Sequence, residues 1–453
     1  MAQCYCRWRN VLICLCTPCI ILALVIAYIY AMVTLSMHSS RSVRPGSTLA
    51  APFFVASGLL KSENFSSIPE TFWDTHANKN SIWNYLQTVT DRQFNPILHL
   101  NNTKKKFKHE SFLKESFSEL NGLHRNYKGL PLQLHYFLRS MHRRDYTTVL
   151  QPDRVCGAGG NDDTEQVLLL LAIKSKESNF KNRQAIRQTW GQVGWVAGER
   201  RNSTSEDENG GYVRRIFLLG KEEHEKLGIA DYELLQMESL YYGDILQWDF
   251  KDTFFNLTLK DVLFWKWFSQ LCSQTLFVFK GDDDVFVNTQ KMIRYLHDQL
   301  RAPQVKETIK EFMVGEVITT AVPDRVNKSK YYIPEVFYKG LYPTYAGGGG
   351  VVYSGLLTQR LYDMSKRVHL FPIDDVYVGM CMVRLNAHPI HHPAFLTFDF
   401  PGKEEQQPCA YHSILLVHKR SPEQVVKLWD QLKRTQEQCR DVPLRVLRQK
   451  PKL

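Results

Sequence analysis

Hydrophobic and polar residues divide this chain into stretches of different character. From Val11 to Leu35 there are 25 consecutive residues without a charge, bounded by Arg7 and Arg9 before and by Arg41 and Arg44 after. A helix of about 20 apolar residues crosses the hydrocarbon layer, so this run predicts a single transmembrane helix over 11–35. A cleaved signal peptide would have a shorter apolar stretch and a small-residue cleavage site, and neither is clear. Nothing after Leu35 approaches this length of uncharged apolar sequence. Residues 36–160 are polar with scattered aromatics (Phe72, Trp73, Trp83, Tyr85) and read as a stem followed by an irregular subdomain.

From residue 161 the pattern becomes regular. Val167–Ile173 reads as a fully buried strand, and 182–190 as a helix. Ile216–Gly220 is a second strand, 230–242 a second helix and 245–248 a short strand. A helix follows over 257–271, then a strand over 276–279. Continuous apolar strands alternating with helices predict an α/β domain with a mainly parallel central sheet covered on both faces. This domain is expected over 161–440, with a basic tail at 441–453 and a polar surface loop over 192–211.

Hydrophobic residues make up 44% of the chain and charged residues 23%, which excludes a wholly disordered or fibrous protein. The net charge of +11 invites a nucleic-acid reading. Its distribution removes that reading. Residues 1–150 carry 17 basic and 8 acidic side chains, whereas 151–440 carry 36 and 37. The basic run Lys104–Lys106 with Lys108 is read as a solvated cluster. Five Asn-x-Ser/Thr triplets, opened by Asn64, Asn101, Asn202, Asn256 and Asn327, all follow the predicted span. They fit a lumenal body behind a cytosolic tail of residues 1–10.

Cysteines divide evenly. Cys4, Cys6, Cys14, Cys16 and Cys19 lie before or inside the predicted span, where palmitoylation or apolar packing is expected. Cys156, Cys272, Cys381, Cys409 and Cys439 lie in the body. Five is odd, so at least one is free or pairs between chains.

The strongest chemical signal is Lys280-Gly281-Asp282-Asp283-Asp284, which directly follows a buried strand. Ligands of open α/β sheets sit outside the carboxyl ends of strands. Side chains two apart share a face, so Asp282 and Asp284 would present two hard oxygens suited to Mg²⁺ or Mn²⁺. A turn with capping carboxylates is the alternative. Gly347–Gly350 permits close backbone approach to a ligand and reads as a pocket wall. Asp374 and Asp375 stand at the start of a predicted helix, as caps or as a general base. Arg183 and Arg187 are one helical turn apart, facing either phosphate or solvent.

Together these elements resemble the Golgi β-1,3-glycosyltransferases, in particular their β-1,3-N-acetylglucosaminyltransferase branch, which extends poly-N-acetyllactosamine. The resemblance runs from about Val167 to Cys439 through a collinear series of motifs. It begins at Arg183-Gln184-Ala185-Ile186-Arg187-Gln188-Thr189-Trp190-Gly191 and continues at Asp252-Thr253-Phe254-Phe255-Asn256-Leu257-Thr258-Leu259-Lys260; the Asp-rich, Gly-rich and Asp374-Asp375 motifs follow. It implies a GT-A-like nucleotide-sugar-binding fold, a UDP-sugar donor, Mn²⁺ or Mg²⁺, and inversion by single displacement. Asp375 matches the proposed base for the acceptor 3-hydroxyl. Asp284 and His418 match positions at the metal. Lys174, Arg183, Arg187, Asp282, Asp283, Gly348, Gly349 and Asp374 are expected at the donor. Ser140 stands where close relatives carry a cysteine suited to pairing with Cys156, which makes Cys156 the expected odd thiol.

The function expected is transfer of GlcNAc from UDP-GlcNAc to the 3-hydroxyl of terminal galactose on glycoproteins or glycolipids. The protein would be a single-pass type II protein of the Golgi membrane, without nucleic-acid partners, and would associate with itself or with other Golgi transferases. The alternatives are a β-1,3-galactosyltransferase using UDP-Gal, a non-catalytic membrane-tethered glycan-binding protein on the same fold, and a metal-dependent phosphohydrolase or nuclease.

Overall fold

Eight consecutive buried residues, Val167–Lys174, form the strand on which the sheet is centred. The computed structural model describes residues 81–94, 130–152, 155–156, 166–198, 210–222 and 229–446. The span expected over 11–35, the tail 1–10, the basic run at 104–108 and the terminal residues 447–453 lie outside the described residues. Among those described, no helix is long and apolar enough to cross a membrane. The chain divides into two units, Met1–Ala51 and Pro52–Leu453, and every described residue belongs to the second.

In chain order the first elements are helices α1 (Ile82–Phe94) and α2 (Leu132–Ser140). Strands β1 (Thr148–Leu150) and β2 (Val167–Lys174) follow, then α3 (Phe180–Gln188). Next come β3 (Gly194–Val196), β4 (Gly211–Lys221), α4 (Ile229–Tyr242) and β5 (Ile245–Lys251). Helix α5 (Leu257–Leu271) leads to β6 (Phe277–Asp282), β7 (Val285–Val287) and α6 (Thr289–Leu300). The second half holds β8 (Met313–Gly315), β9 (Val317–Ile318), β10 (Tyr345–Ala346), β11 (Gly350–Ser354), α7 (Gly355–Ser365) and α8 (Asp374–Arg384). It closes with β12 (Ile390–His391), β13 (Phe395–Leu396), β14 (Leu416–His418) and α9 (Pro422–Arg434).

The main sheet runs β1-β5-β4-β2-β6-β11-β8-β12, with β3 on β4. Its centre, β5-β4-β2-β6, is parallel as expected. Beyond β6 the sheet is mixed, because β11 pairs antiparallel with both β6 and β8. Alternate residues of β2 serve two cores. Leu170 and Ala172 face one, while Leu169, Leu171 and Ile173 face the other. Burial on both faces explains the unbroken apolar run.

Within 36–160, read as a stem followed by an irregular subdomain, α1 is built into the body. Trp83 is buried and its indole donates to the carbonyls of His369 and Leu370, each at 3.2 Å. Asp91 pairs with Arg384 at 2.7 Å, both buried, which ties α1 to α8. Helix α1 is not legible in the sequence because much of its buried side is polar, with Asn84, Gln87 and Asp91 bonded to groups far along the chain. The odd thiol is Cys381, which is buried, and not Cys156. Cys156 bonds Cys272 and Cys409 bonds Cys439. Cys272, the partner of Cys156, stands at the C-cap of α5.

Candidate active site

The site forms where β6 ends. Register pairs Lys174 of β2 with Asp282 of β6, and Gly350 of β11 with Gly281, so three strands deliver their motifs to one edge. The chain turns at Asp283 and Asp284 into β7, which pairs antiparallel with β14. That register sets His418 opposite Val285 and brings the imidazole to the acidic turn. His418 Nε2 lies 3.1 Å from Asp284 Oδ1 and 3.8 Å from Asp282 Oδ2.

Asp282, Asp284 and His418 offer ligand atoms that all lie within 4.8 Å of one another. The donor set fits Mn²⁺ or Mg²⁺: two hard carboxylates and an imidazole. His418 Nδ1 is 3.2 Å from the Thr397 carbonyl oxygen, which can only accept, so Nδ1 carries the proton and Nε2 faces the carboxylates. Burial alone would lower His418; its bond to Asp284 and the charges of Asp284 and Asp282 hold it above its ordinary value. Asp282 is pushed up to about 7, first by desolvation, then by Asp374 and Asp284 against Lys174.

Asp283 turns the other way. It accepts from Ser175 Oγ at 2.6 Å and Asn179 Nδ2 at 2.9 Å, and burial raises it against those two bonds. The expectation that Asp283 contacts the donor is therefore corrected, because its carboxylate is spent inside on fixing the turn.

Asp374 and Asp375 open α8, as the sequence predicts. Asp375 lies against the glycine run: a Cβ on Gly348 would collide with its carboxylate, and one on Gly349 would come within 3.0 Å of His418. These two glycines let the backbone pass between the acid and the imidazole. Lys174 pairs with Asp374 and lies 3.4 Å from Asp261, with only 3% of its side chain exposed. Its position at the strand end is as expected, but its ammonium is engaged with carboxylates and not open to a diphosphate. Burial would raise Asp374, yet Lys174 and Lys280 hold it well below the usual carboxylate range. Burial and the adjacent Asp374 push Asp375 well above that range, against Lys280 and Lys174.

Arg183 and Arg187 are corrected as donor ligands. Both are buried and face away into an ion-pair chain. Arg183 pairs with Glu238 at 2.6 Å, and Arg187 with Glu238 and with Asp244 at 2.7 Å. Their partners lie on or just beyond α4. Arg183 also donates to Ser175 Oγ at 3.2 Å, so its link to the acidic turn is indirect.

Asp261 and Lys280 were missed as members of the site. Asp261, in the middle of α5, is fully buried and pairs with Lys280 at 3.0 Å. The available signal was a Lys260-Asp261 pair between the apolar residues of a largely apolar helix and a lysine continuing an apolar strand. A buried charge needs a partner. Ionised, Asp261, Asp282, Asp284, Asp374 and Asp375 would set five negative charges against two ammonium groups, an excess that a bound cation would offset.

Residues 181–393 match the galactosyltransferase family. The chain is 40% identical over 377 residues to human N-acetyllactosaminide β-1,3-N-acetylglucosaminyltransferase 2, covering 82% of this chain and 89% of that one. It is 41% identical over 321 residues to human UDP-GlcNAc:βGal β-1,3-N-acetylglucosaminyltransferase 9, covering 66% and 74%. With the rat UDP-GlcNAc:βGal β-1,3-N-acetylglucosaminyltransferase 7 it shares 40% over 309 residues, covering 67% and 72%.

Proposed function

The chain belongs to the galactosyltransferase family, and on that premise we propose that it transfers GlcNAc from UDP-GlcNAc to the 3-hydroxyl of a terminal galactose with inversion. The relatives' activities, together with the acidic motifs, favour this donor and acceptor class on a GT-A-like fold. The observation that carries the reading is the meeting of the Asp282, Asp284 and His418 cluster with Asp375 across Gly348 and Gly349.

In this reading the acceptor oxygen attacks the anomeric carbon as the bond to the UDP β-phosphate oxygen breaks, and UDP leaves with the electron pair. Asp375 accepts the proton of the 3-hydroxyl. Its elevated proton affinity suits a base working near neutral pH. A divalent cation held by Asp282, Asp284 and His418 would neutralise the diphosphate and stabilise its departure. Asp374, tied to Lys174, fixes the first turn of α8 and so the direction of Asp375. Family membership and the uncharged run Val11–Leu35 support a type II protein of the Golgi membrane, with the site lumenal.

The test incubates the protein with UDP-GlcNAc or UDP-Gal and a galactose-terminated acceptor, with and without Mn²⁺. Cation-dependent GlcNAc transfer supports the reading. A clear preference for UDP-Gal, or phosphate release without any acceptor, would remove it.

A further inference from the structure

Asp375 is surrounded by charge from several directions. Among the described residues, the charged or titratable groups facing it are Asp374 on its own helix, Lys280 and Asp282 of β6, Lys174 of β2 and Tyr345 of β10. Lys280 Nζ lies 3.8 Å from Asp375 Oδ1 and 3.8 Å from Asp374 Oδ2, but 3.0 Å from Asp261 Oδ2. Asp261 Oδ1 lies 3.4 Å from Lys174 Nζ. One fully buried carboxylate on α5 therefore draws on both lysines that approach the Asp374-Asp375 pair.

Neither Asp261 nor Lys280 meets solvent appreciably, at 0% and 2% side-chain exposure, so neither touches substrate. Packing alone is a poor reason for them, because a buried ion pair is often matched or bettered in stability by apolar residues of the same volume. Their location beneath the start of α8 supplies another reason. An ammonium that moved onto Asp375 would occupy the oxygen that must receive the acceptor proton. With no ammonium nearby, two adjacent buried carboxylates could not both ionise.

We propose that Asp261 and Lys280 are positioning residues for the transfer reaction: Asp261 holds the Lys280 ammonium back from Asp375, close enough to support its charge and too far to donate a hydrogen bond to it. The inference rests on the reading of Asp375 as the base. Its electrostatic consequence has opposite signs at the two residues. Removing the Asp261 charge releases Lys280 toward Asp375 and makes that carboxylate harder to protonate. Removing Lys280 makes it easier to protonate, against the background of burial and Asp374 that already raises it.

The experiment measures the pH profile of kcat, and KM for UDP-GlcNAc, in the full-length protein and in Asp261→Asn, Lys280→Met and the double variant. Circular dichroism monitors folding. The acidic limb is expected to move to lower pH in Asp261→Asn and to higher pH in Lys280→Met, and to return toward wild type when both are changed. In Asp261→Asn the plateau kcat is expected to fall about tenfold or more, because an ion-paired Asp375 is a poorer acceptor, with donor KM little changed. Lys280→Arg, which keeps the cation, is expected to restore the limb toward wild type and so separates charge from folding if Asp261→Asn is unstable. Limbs that stay in place, or move the same way in both single variants, overturn the inference while leaving the transferase reading intact. A wild-type protein without any transfer removes the transferase reading and this inference together.

Discussion

His418 Nε2 lies 3.1 Å from Asp284 Oδ1 although the two residues are 134 positions apart, because β14 pairs with β7 immediately after the acidic turn. The strand pairing, not the local sequence, makes the third corner of the cation cluster. Asp284→Asn and His418→Ala are each expected to weaken Mn²⁺ binding about tenfold or more. Titration of Mn²⁺ followed by calorimetry or electron paramagnetic resonance measures this directly. Unchanged affinity in both variants would dismiss the cluster as a cation site.

The glycine run makes a steric claim. Gly348→Ala inserts a methyl group where the Asp375 carboxylate now lies. The carboxylate must move, and displacement of a reacting group by about 1 Å can cost about a hundredfold in rate. The expected result is such a loss of kcat with a near-native melting temperature. A variant with wild-type turnover would show that Asp375 need not occupy its present position.

The pH dependence follows from the sign of the Asp375 shift. A base acts when ionised, so the rate rises with pH through the folded-state value, which burial and Asp374 hold above the ordinary carboxylate range. Asp374→Asn removes a neighbouring negative charge and is expected to move the acidic limb of kcat to lower pH. A limb that moves upward instead would contradict the electrostatic arrangement described here.

Stability should depend on α1 as strongly as on the sheet. Breaking the buried Asp91–Arg384 pair by Asp91→Ala removes the two hydrogen bonds that the carboxylate accepts from the buried guanidinium, a change expected to cost roughly 3–5 kcal/mol. Denaturant unfolding measures it. Removal of residues 1–159 deletes Trp83, Asn84 and Asp91 together and is expected to yield insoluble protein, whereas a new N-terminus placed within 52–75 keeps α1.

Much of the fold could be read directly because its strands are buried on both faces. Val167–Ile173 and 276–279 are continuous apolar runs, and α5 is apolar along most of its length. The acidic turn was legible for the same reason: Asp282 follows a strand whose end must point somewhere. The antiparallel β11 was not foreseen, since its pairing depends on how the 288–349 excursion returns. Arg183 and Arg187 misled because a polar helix face looks solvated until Glu238 and Asp244 are known to cover it. Asp261 and Lys280 carried a visible sign, charge inside apolar sequence, but no indication of which charge each would meet.

The central claim is metal-assisted transfer of GlcNAc with Asp375 as base, and one comparison tests it most directly. Wild type and Asp375→Asn are assayed with UDP-GlcNAc, Mn²⁺ and a galactose-terminated acceptor, with UDP binding measured alongside. Wild type is expected to transfer GlcNAc in β-1,3 linkage. Asp375→Asn is expected to lose roughly a hundred- to ten-thousand-fold in kcat with UDP affinity retained. Comparable turnover by the two proteins would contradict that claim.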